Sequence, residues 1–140
     1  MKKVSIQTLV LLAILSLALL VSGCGTIEKA SKSQKMHKRL LAYAHEVRWG
    51  ALEALPAYLR PAMVAEQKAI ARDPGNIRVT EYEVVVVPAP AGENKIVQTA
   101  RIDYLFRDRQ VVRSIVDQQS WEYEPETKQW FRTNAIPAFE

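Results

Sequence analysis

The side chains of this chain that could do chemistry are few and scattered. Cys24 is the single cysteine, so no disulfide can close within the chain. His37 and His45 are the two histidines; at their spacing they project about 80° apart around a helix, not as the adjacent pair a zinc site uses. No nucleophile sits in a motif that would activate it, and neither metal nor cofactor is expected. Two carboxylates, Asp103 and Glu122, are the nearest candidates for acid–base work. A second constellation is aromatic: Tyr104, Arg113, Trp121, Tyr123 and Trp130 place one guanidinium among large rings. That set suits an apolar or amphipathic anionic ligand, because a guanidinium facing an apolar layer needs either an acid such as Glu46 or Glu53 or an anion brought from outside.

Strands must position these groups. After Gly75 the pattern turns extended, and Ile77 to Val87 is rich in β-branched residues. Pro88-Ala89-Pro90-Ala91-Gly92 is expected to end that strand in a loop. Lys95 to Arg107, Gln110 to Tyr123 and Gln129 to Asn134 read as three further strands, joined by short connections into an antiparallel meander. A turn at Asp108-Arg109 sets Phe106 opposite Val111, Tyr104 opposite Arg113 and Ile102 opposite Ile115. A turn over Pro125 to Lys128 sets Tyr123 opposite Trp130 and Trp121 opposite Arg132. One face then collects Ile102, Tyr104, Phe106, Val111, Ile115, Trp121, Tyr123 and Trp130 and is expected to meet the helices. Arg101, Asp103, Ser114, Gln118 and Glu122 fall on the other, which takes both candidate carboxylates away from the packed side.

Helices precede the strands. From about Ser33, Met36, Leu40, Ala44 and Val47 recur at helical steps, with Leu41 widening the stripe. Gly50 interrupts the pattern, and Leu52, Leu55 and Leu59 mark a second short segment in which Pro56 forces a kink or restart. Pro61 suits the first turn of a third helix, expected to pass Ile70 and stop at Asp73-Pro74-Gly75. The fold class that follows is α+β, with N-terminal helices packed on a curled four-stranded antiparallel meander.

The N-terminus carries a different message. Lys2 and Lys3 precede an apolar run from Leu9 to Val21 broken only by Ser16, shorter than the about 20 residues a spanning helix needs. It closes on Val21-Ser22-Gly23-Cys24, which resembles the export signal and lipobox of a bacterial lipoprotein. The resemblance implies a signal peptide over residues 1–23, cleavage between Gly23 and Cys24, and a diacylglycerol thioether and an acylated amino group on Cys24. Gly25, where enteric lipoproteins kept in the inner membrane carry aspartate, implies the periplasmic face of the outer membrane. Residues 24–35 read as a lipidated flexible tether, and Lys29, Lys32, Lys35, Lys38 and Arg39 form a basic run that could lie on anionic headgroups. Removing residues 1–23 leaves 117 residues and takes the formal charge from +4 to +2. That is no nucleic-acid signature, and residues 36–140 suffice for one α+β domain.

Helices followed by a curled meander are the order of the cystatin-like and NTF2-like folds. The run Leu40-Leu41-Ala42-Tyr43-Ala44-His45-Glu46-Val47-Arg48-Trp49-Gly50-Ala51-Leu52-Glu53-Ala54 resembles the opening helices of NTF2-like proteins. Trp121-Glu122-Tyr123 with Lys128-Gln129-Trp130-Phe131 is similar to the closing hairpin of small uncharacterised proteobacterial lipoproteins of that type. Ala51 departs from the aspartate that often follows the glycine and caps the next helix. The resemblance implies a cell-envelope protein with no assured catalysis: enzymes of the class put an acid–base pair inside the cone between helices and sheet. The expected function is a non-catalytic interaction module meeting an envelope protein. The alternative is a pocket in that cone, lined by Arg113 and the four aromatic residues named with it, and an NTF2-like enzyme is the third and least favoured reading.

Overall fold

The computed structural model describes residues 24–140, with the backbone alone at Cys24. The expected signal peptide and its cleavage at Gly23 lie outside the described residues.

Helix α1 runs Cys24–Trp49. It therefore takes in residues 24–35, expected as a flexible tether with the helix starting near Ser33. No proline interrupts that stretch, and Lys29, Lys32, Gln34 and Lys35 are good helix formers, so a ladder once nucleated continues through it. The compact unit that holds the core spans Met36–Glu140. Within it α1 buries Leu40, Tyr43 and Val47, while Leu41 is 69% exposed. The packed stripe is thus narrower than expected and centred on Tyr43. The basic run also loses a member: the Arg39 guanidinium donates to the carbonyls of Trp130 and Ala57 and lies over the Tyr58 ring.

The helix gives way at Gly50, a position with no room for a side chain. The Gly50 N–H donates to Glu46 O at 2.9 Å, and the Ala51 N–H donates to Glu46 Oε1 at 3.0 Å. A Cβ on Gly50 would lie 2.0 Å from that Oε1 and 2.9 Å from Glu46 O. Ala51 makes no side-chain cap; the glutamate one turn back supplies the acceptor instead. Pro56 sits inside a 3₁₀ helix, Leu52–Tyr58, that buries Leu52 and Leu55. Helix α2 is only Pro61–Val64, shorter than the helix expected to pass Ile70. The chain leaves it because the C-terminal segment offers better partners: Phe139 N–H donates to Ile70 O at 2.7 Å. The Gln67 side-chain amide also pairs with both backbone groups of Ile136.

Four strands follow: β1 Ile77–Gly92, β2 Lys95–Phe106, β3 Val111–Glu124 and β4 Gln129–Arg132. Their order is β1-β2-β3-β4, an antiparallel meander throughout. The hairpin pairs agree with those derived from the turns: Phe106 with Val111, Tyr104 with Arg113, Ile102 with Ile115, Trp121 with Arg132 and Tyr123 with Trp130. Gln110 and Lys128, each at φ 54°, close the two turns. β1 departs from expectation by continuing through Pro88 and Pro90. An edge strand tolerates proline, and register shifts between Val84 and Val86, Val86 and Ala89, and Pro90 and Gly92 absorb the missing donors.

The inner face of the sheet packs on α1 and the 3₁₀ helix in one cluster with Ile102, Tyr104, Phe106, Trp121 and Trp130. Ile115 and Tyr123 are partly buried against it. Val111 is 44% exposed, a correction to its place in the packed face. Arg101, Asp103, Ser114, Gln118 and Glu122 lie on the outer face, half-buried or exposed.

Candidate functional site

The inner face holds a buried polar chain as well as the aromatic residues. Along β3 the inward positions run Ile115, Asp117, Gln119, Trp121, and Arg132 of β4 stands opposite Trp121. Arg132 and Asp117 form an ion pair at 2.6 Å with side chains 0% and 1% exposed. The guanidinium uses all five of its N–H groups. Nη1 donates to Tyr43 Oη at 2.7 Å and Asp117 Oδ2 at 2.9 Å. Nη2 donates to Asp117 Oδ1 and to Ala135 O, and Nε to Asn134 O at 3.0 Å.

Gln119 extends the network. Its Nε2 donates to Asp117 Oδ2 and Tyr82 Oη, both at 2.8 Å. Its Oε1 accepts from Gln98 Nε2 at 2.6 Å and Trp121 Nε1 at 3.1 Å. Each side chain thus fixes the next, and α1 is tied to β3 and β4 through Tyr43. Here the acid is neutralised by a group that cannot act as a base, both carboxylate oxygens are occupied, and the pair is sealed from solvent. The arrangement ties α1, β3 and β4 together in the core.

Burial is registered in the tyrosines of this network. It pushes Tyr82 up to about 12, against a lowering from the Gln119 hydrogen bond, and raises Tyr43 as well, against the pull of Arg132. A phenol whose folded value is raised resists ionisation until the chain unfolds. Stability is therefore full below the ordinary tyrosine value of about 10 and is lost as pH rises through about 12. Tyrosinate absorbance from Tyr43 and Tyr82 is expected to appear together with loss of the circular dichroism signal. Free titration of both near pH 10 in an intact fold would exclude the buried network.

The five residues expected to line a common pocket are not brought together. Tyr104, 2% exposed, packs with Phe106 and Phe139 and hydrogen-bonds both backbone groups of Glu140 through its hydroxyl. Trp121, fully buried, meets Tyr43 and Tyr58 edge-on at 5.4 and 6.5 Å. Tyr123 and Trp130 form a third group, 5.5 Å apart. Arg113 is exposed, with its guanidinium 5.8 Å from the Phe106 ring centroid. Its register is the expected one, but this end of β3 is left open, so the side chain reaches water and a ring face and no acid of α1. The cation inside the apolar layer is Arg132. Asp103 accepts from Ser114 Oγ, and Glu122 pairs with Arg60 at 2.8 Å, both on the outer face as expected.

None of those five residues lines the two clefts at the start of β1. One, of about 390 Å³, lies between the end of α1, the 3₁₀ helix and β1 and carries Arg48, Glu53, Arg78 and Arg107. The other, of about 580 Å³, is bounded by Phe106, Arg109 and the C-terminal Phe139. Sequence reasoning passed over Arg132, Asp117 and Gln119, although the register that set Trp121 opposite Arg132 already put that arginine on the inner face. Among the described residues no cluster of three or more histidine, cysteine or acidic side chains is placed to hold a metal, and no helix is long and apolar enough to cross a membrane. Comparison with family models, curated proteins and solved structures finds no match.

Proposed function

We propose that this chain is a non-catalytic interaction module of the bacterial cell envelope, anchored by acyl chains on Cys24 at the periplasmic face of the outer membrane, which binds an extended segment of another envelope protein along β1. The observation that carries the reading is an exposed, uncharged stretch on an open edge. β1 pairs with β2 alone, and from Val84 to Gly92 the strand has no charged residue. Val84, Val85, Val86 and Val87 are 41%, 48%, 53% and 71% exposed. An open strand edge presents backbone donors and acceptors to an incoming chain, and valines on both faces give it apolar contact. The start of the edge is closed, since Arg48 donates to Val79 O at 2.7 Å.

A second copy is the less fitting occupant. Pro88, Pro90 and the bulges around Val86 are devices that blunt an edge against its own kind. Two such edges would set irregularity against irregularity, whereas a regular strand needs to adapt on one side only. The order of a long helix before a curled meander supports kinship in fold with NTF2-like and cystatin-like proteins, and the solid inner face favours the interaction module over a ligand pocket in the cone.

Two experiments test this. A photo-crosslinking residue at Val85 in cells is expected to give one adduct of discrete mass with another envelope protein, while the same residue at Val116, 66% exposed on the outer face, gives none. An adduct with a second copy, with lipid alone, or none at all rejects the assignment of the edge. For the anchor, the mature protein is expected to begin at Cys24 and to incorporate labelled palmitate. Cys24→Ser is expected to leave unlipidated precursor; an intact Met1 without label in the wild type rules the anchor out.

A further inference from the structure

The cleft beside the start of β1 has the makings of a binding site independent of the strand edge. Its positive charge comes from three different elements: Arg48 from α1, Arg78 from β1 and Arg107 from the end of β2, with Glu53 as the carboxylate among the lining residues. Arg48 is held in place. Its Nη1 donates to Val79 O at 2.7 Å, and its guanidinium stacks 3.9 Å from the Trp49 ring centroid. Its remaining N–H groups are therefore presented by a fixed plane. Arg78 and Arg107 are exposed, and neither has a side-chain hydrogen bond or ion pair among the described residues. Their approach is dictated by the sheet: Arg78 stands opposite Leu105, and Arg107 donates its backbone N–H to Asn76 O at 2.9 Å. Both side chains thus belong to one end of the same two strands.

Charge and shape together specify a ligand class. Three guanidinium groups against one carboxylate leave the lining two units positive, which matches a phosphate monoester carrying about −1.5 to −2 near pH 7. Forked N–H donors fit the oxygens of such a group better than a point charge does. A volume of about 390 Å³ exceeds what the phosphoryl group alone fills, and the exposed ring of Trp49 supplies an apolar face for an organic body. We infer that the cleft between α1 and β1 binds a phosphate monoester, held by Arg48, Arg78 and Arg107, with its apolar body beside the Trp49 ring. Both a soluble ester and a phosphatidate headgroup have this chemistry.

The full chain in neutral detergent micelles allows both sources to be tested. Trp49 is 69% exposed at the cleft, whereas Trp121 and Trp130 are 0% and 4% exposed, so a ligand-induced change in indole emission reports on Trp49 over the constant signal of the two buried rings. Phenyl phosphate is expected to change that emission saturably at pH 7.5, and phenyl sulfate, a monoanion of similar shape, to bind about tenfold more weakly because it brings nearly one negative charge fewer to the same guanidinium groups. Arg107→Met and Arg78→Met are each expected to weaken phenyl phosphate by about tenfold, with an unchanged thermal melt because both sites are exposed. Arg101→Met, on the outer face in a pair with Glu83, is expected to change nothing. Doping the micelles with phosphatidic acid in place of phenyl phosphate distinguishes the sources: a response to that lipid alone identifies a headgroup site, and a response to both a site open to soluble esters. Equal binding of sulfate and phosphate, undiminished binding by the Arg78 and Arg107 variants, or no saturable response to either probe overturns the inference.

Discussion

Asp117→Ala is expected to cost about 3–5 kcal/mol of folding stability, close to the whole of what a marginal small domain possesses. The reason is the charge left behind. Arg132 is fully buried, and it cannot discharge itself, because guanidinium stays protonated under any condition in which the protein folds. With the carboxylate gone, two of its N–H groups lose their acceptors and Gln119 Nε2 loses one of its two. The paired change Asp117→Leu with Arg132→Met removes both charges and is expected to recover a good part of the loss, since apolar replacement of a buried pair is often neutral. Recovery is incomplete: Tyr43 Oη and the carbonyls of Asn134 and Ala135 lose their donor. Urea titration of the full chain in neutral detergent measures both. If Asp117→Ala costs less than about 1 kcal/mol, the pair is not sealed from water as its geometry states.

How the sheet was legible in the sequence, and the site was not, comes down to what each depends on. The registers of β2 with β3 and of β3 with β4 follow from two short turns and alternation, local quantities that a sequence carries directly. Burial depends on what lies above a position. Arg113 and Arg132 both alternate onto the inner face, but Arg132 is covered by Tyr43 of α1 and by the backbone of Asn134 and Ala135, whereas Val111 and Arg113 at the start of β3 stay exposed. That difference is set by where Tyr43 packs, a contact distant in sequence. The same applies to the region after Val64, where a thin apolar face gave no reason to expect that Gln67 and Ile70 would be claimed by residues at the far end of the chain. At Pro88 the cause is simpler: the rule against proline in strands applies to the interior of a sheet, and β1 is an edge. The cleft arginines come from three elements separated by long stretches of chain, so only the tertiary arrangement shows that they share a space.

The second large effect lies in the aromatic centre. Trp121→Ala is expected to destabilise by about 3–5 kcal/mol, the range for deleting a large buried aromatic side chain. Trp121 is fully buried, its ring touches both Tyr43 and Tyr58, and its Nε1–H donates to Gln119 Oε1. Truncation opens a cavity next to the polar network, and the network loses a donor as well as its packing wall. Trp121→Phe keeps most of the volume and the edge-on contacts but not the indole N–H, so it is expected to cost about 1–3 kcal/mol for the unsatisfied acceptor and the residual void. Trp130→Ala, with a side chain nearly as buried but grouped with the half-exposed Tyr123, is expected to fall near the lower end of the alanine range. Trp49→Ala, at an exposed helix end, is expected to stay within about 0.5 kcal/mol. The order Trp121, Trp130, Trp49 is what the burial of the three side chains demands. Chemical denaturation of the three alanine variants checks it, and a loss at Trp49 equal to that at Trp121 would mean that the inner face of the sheet has been assigned to the wrong side.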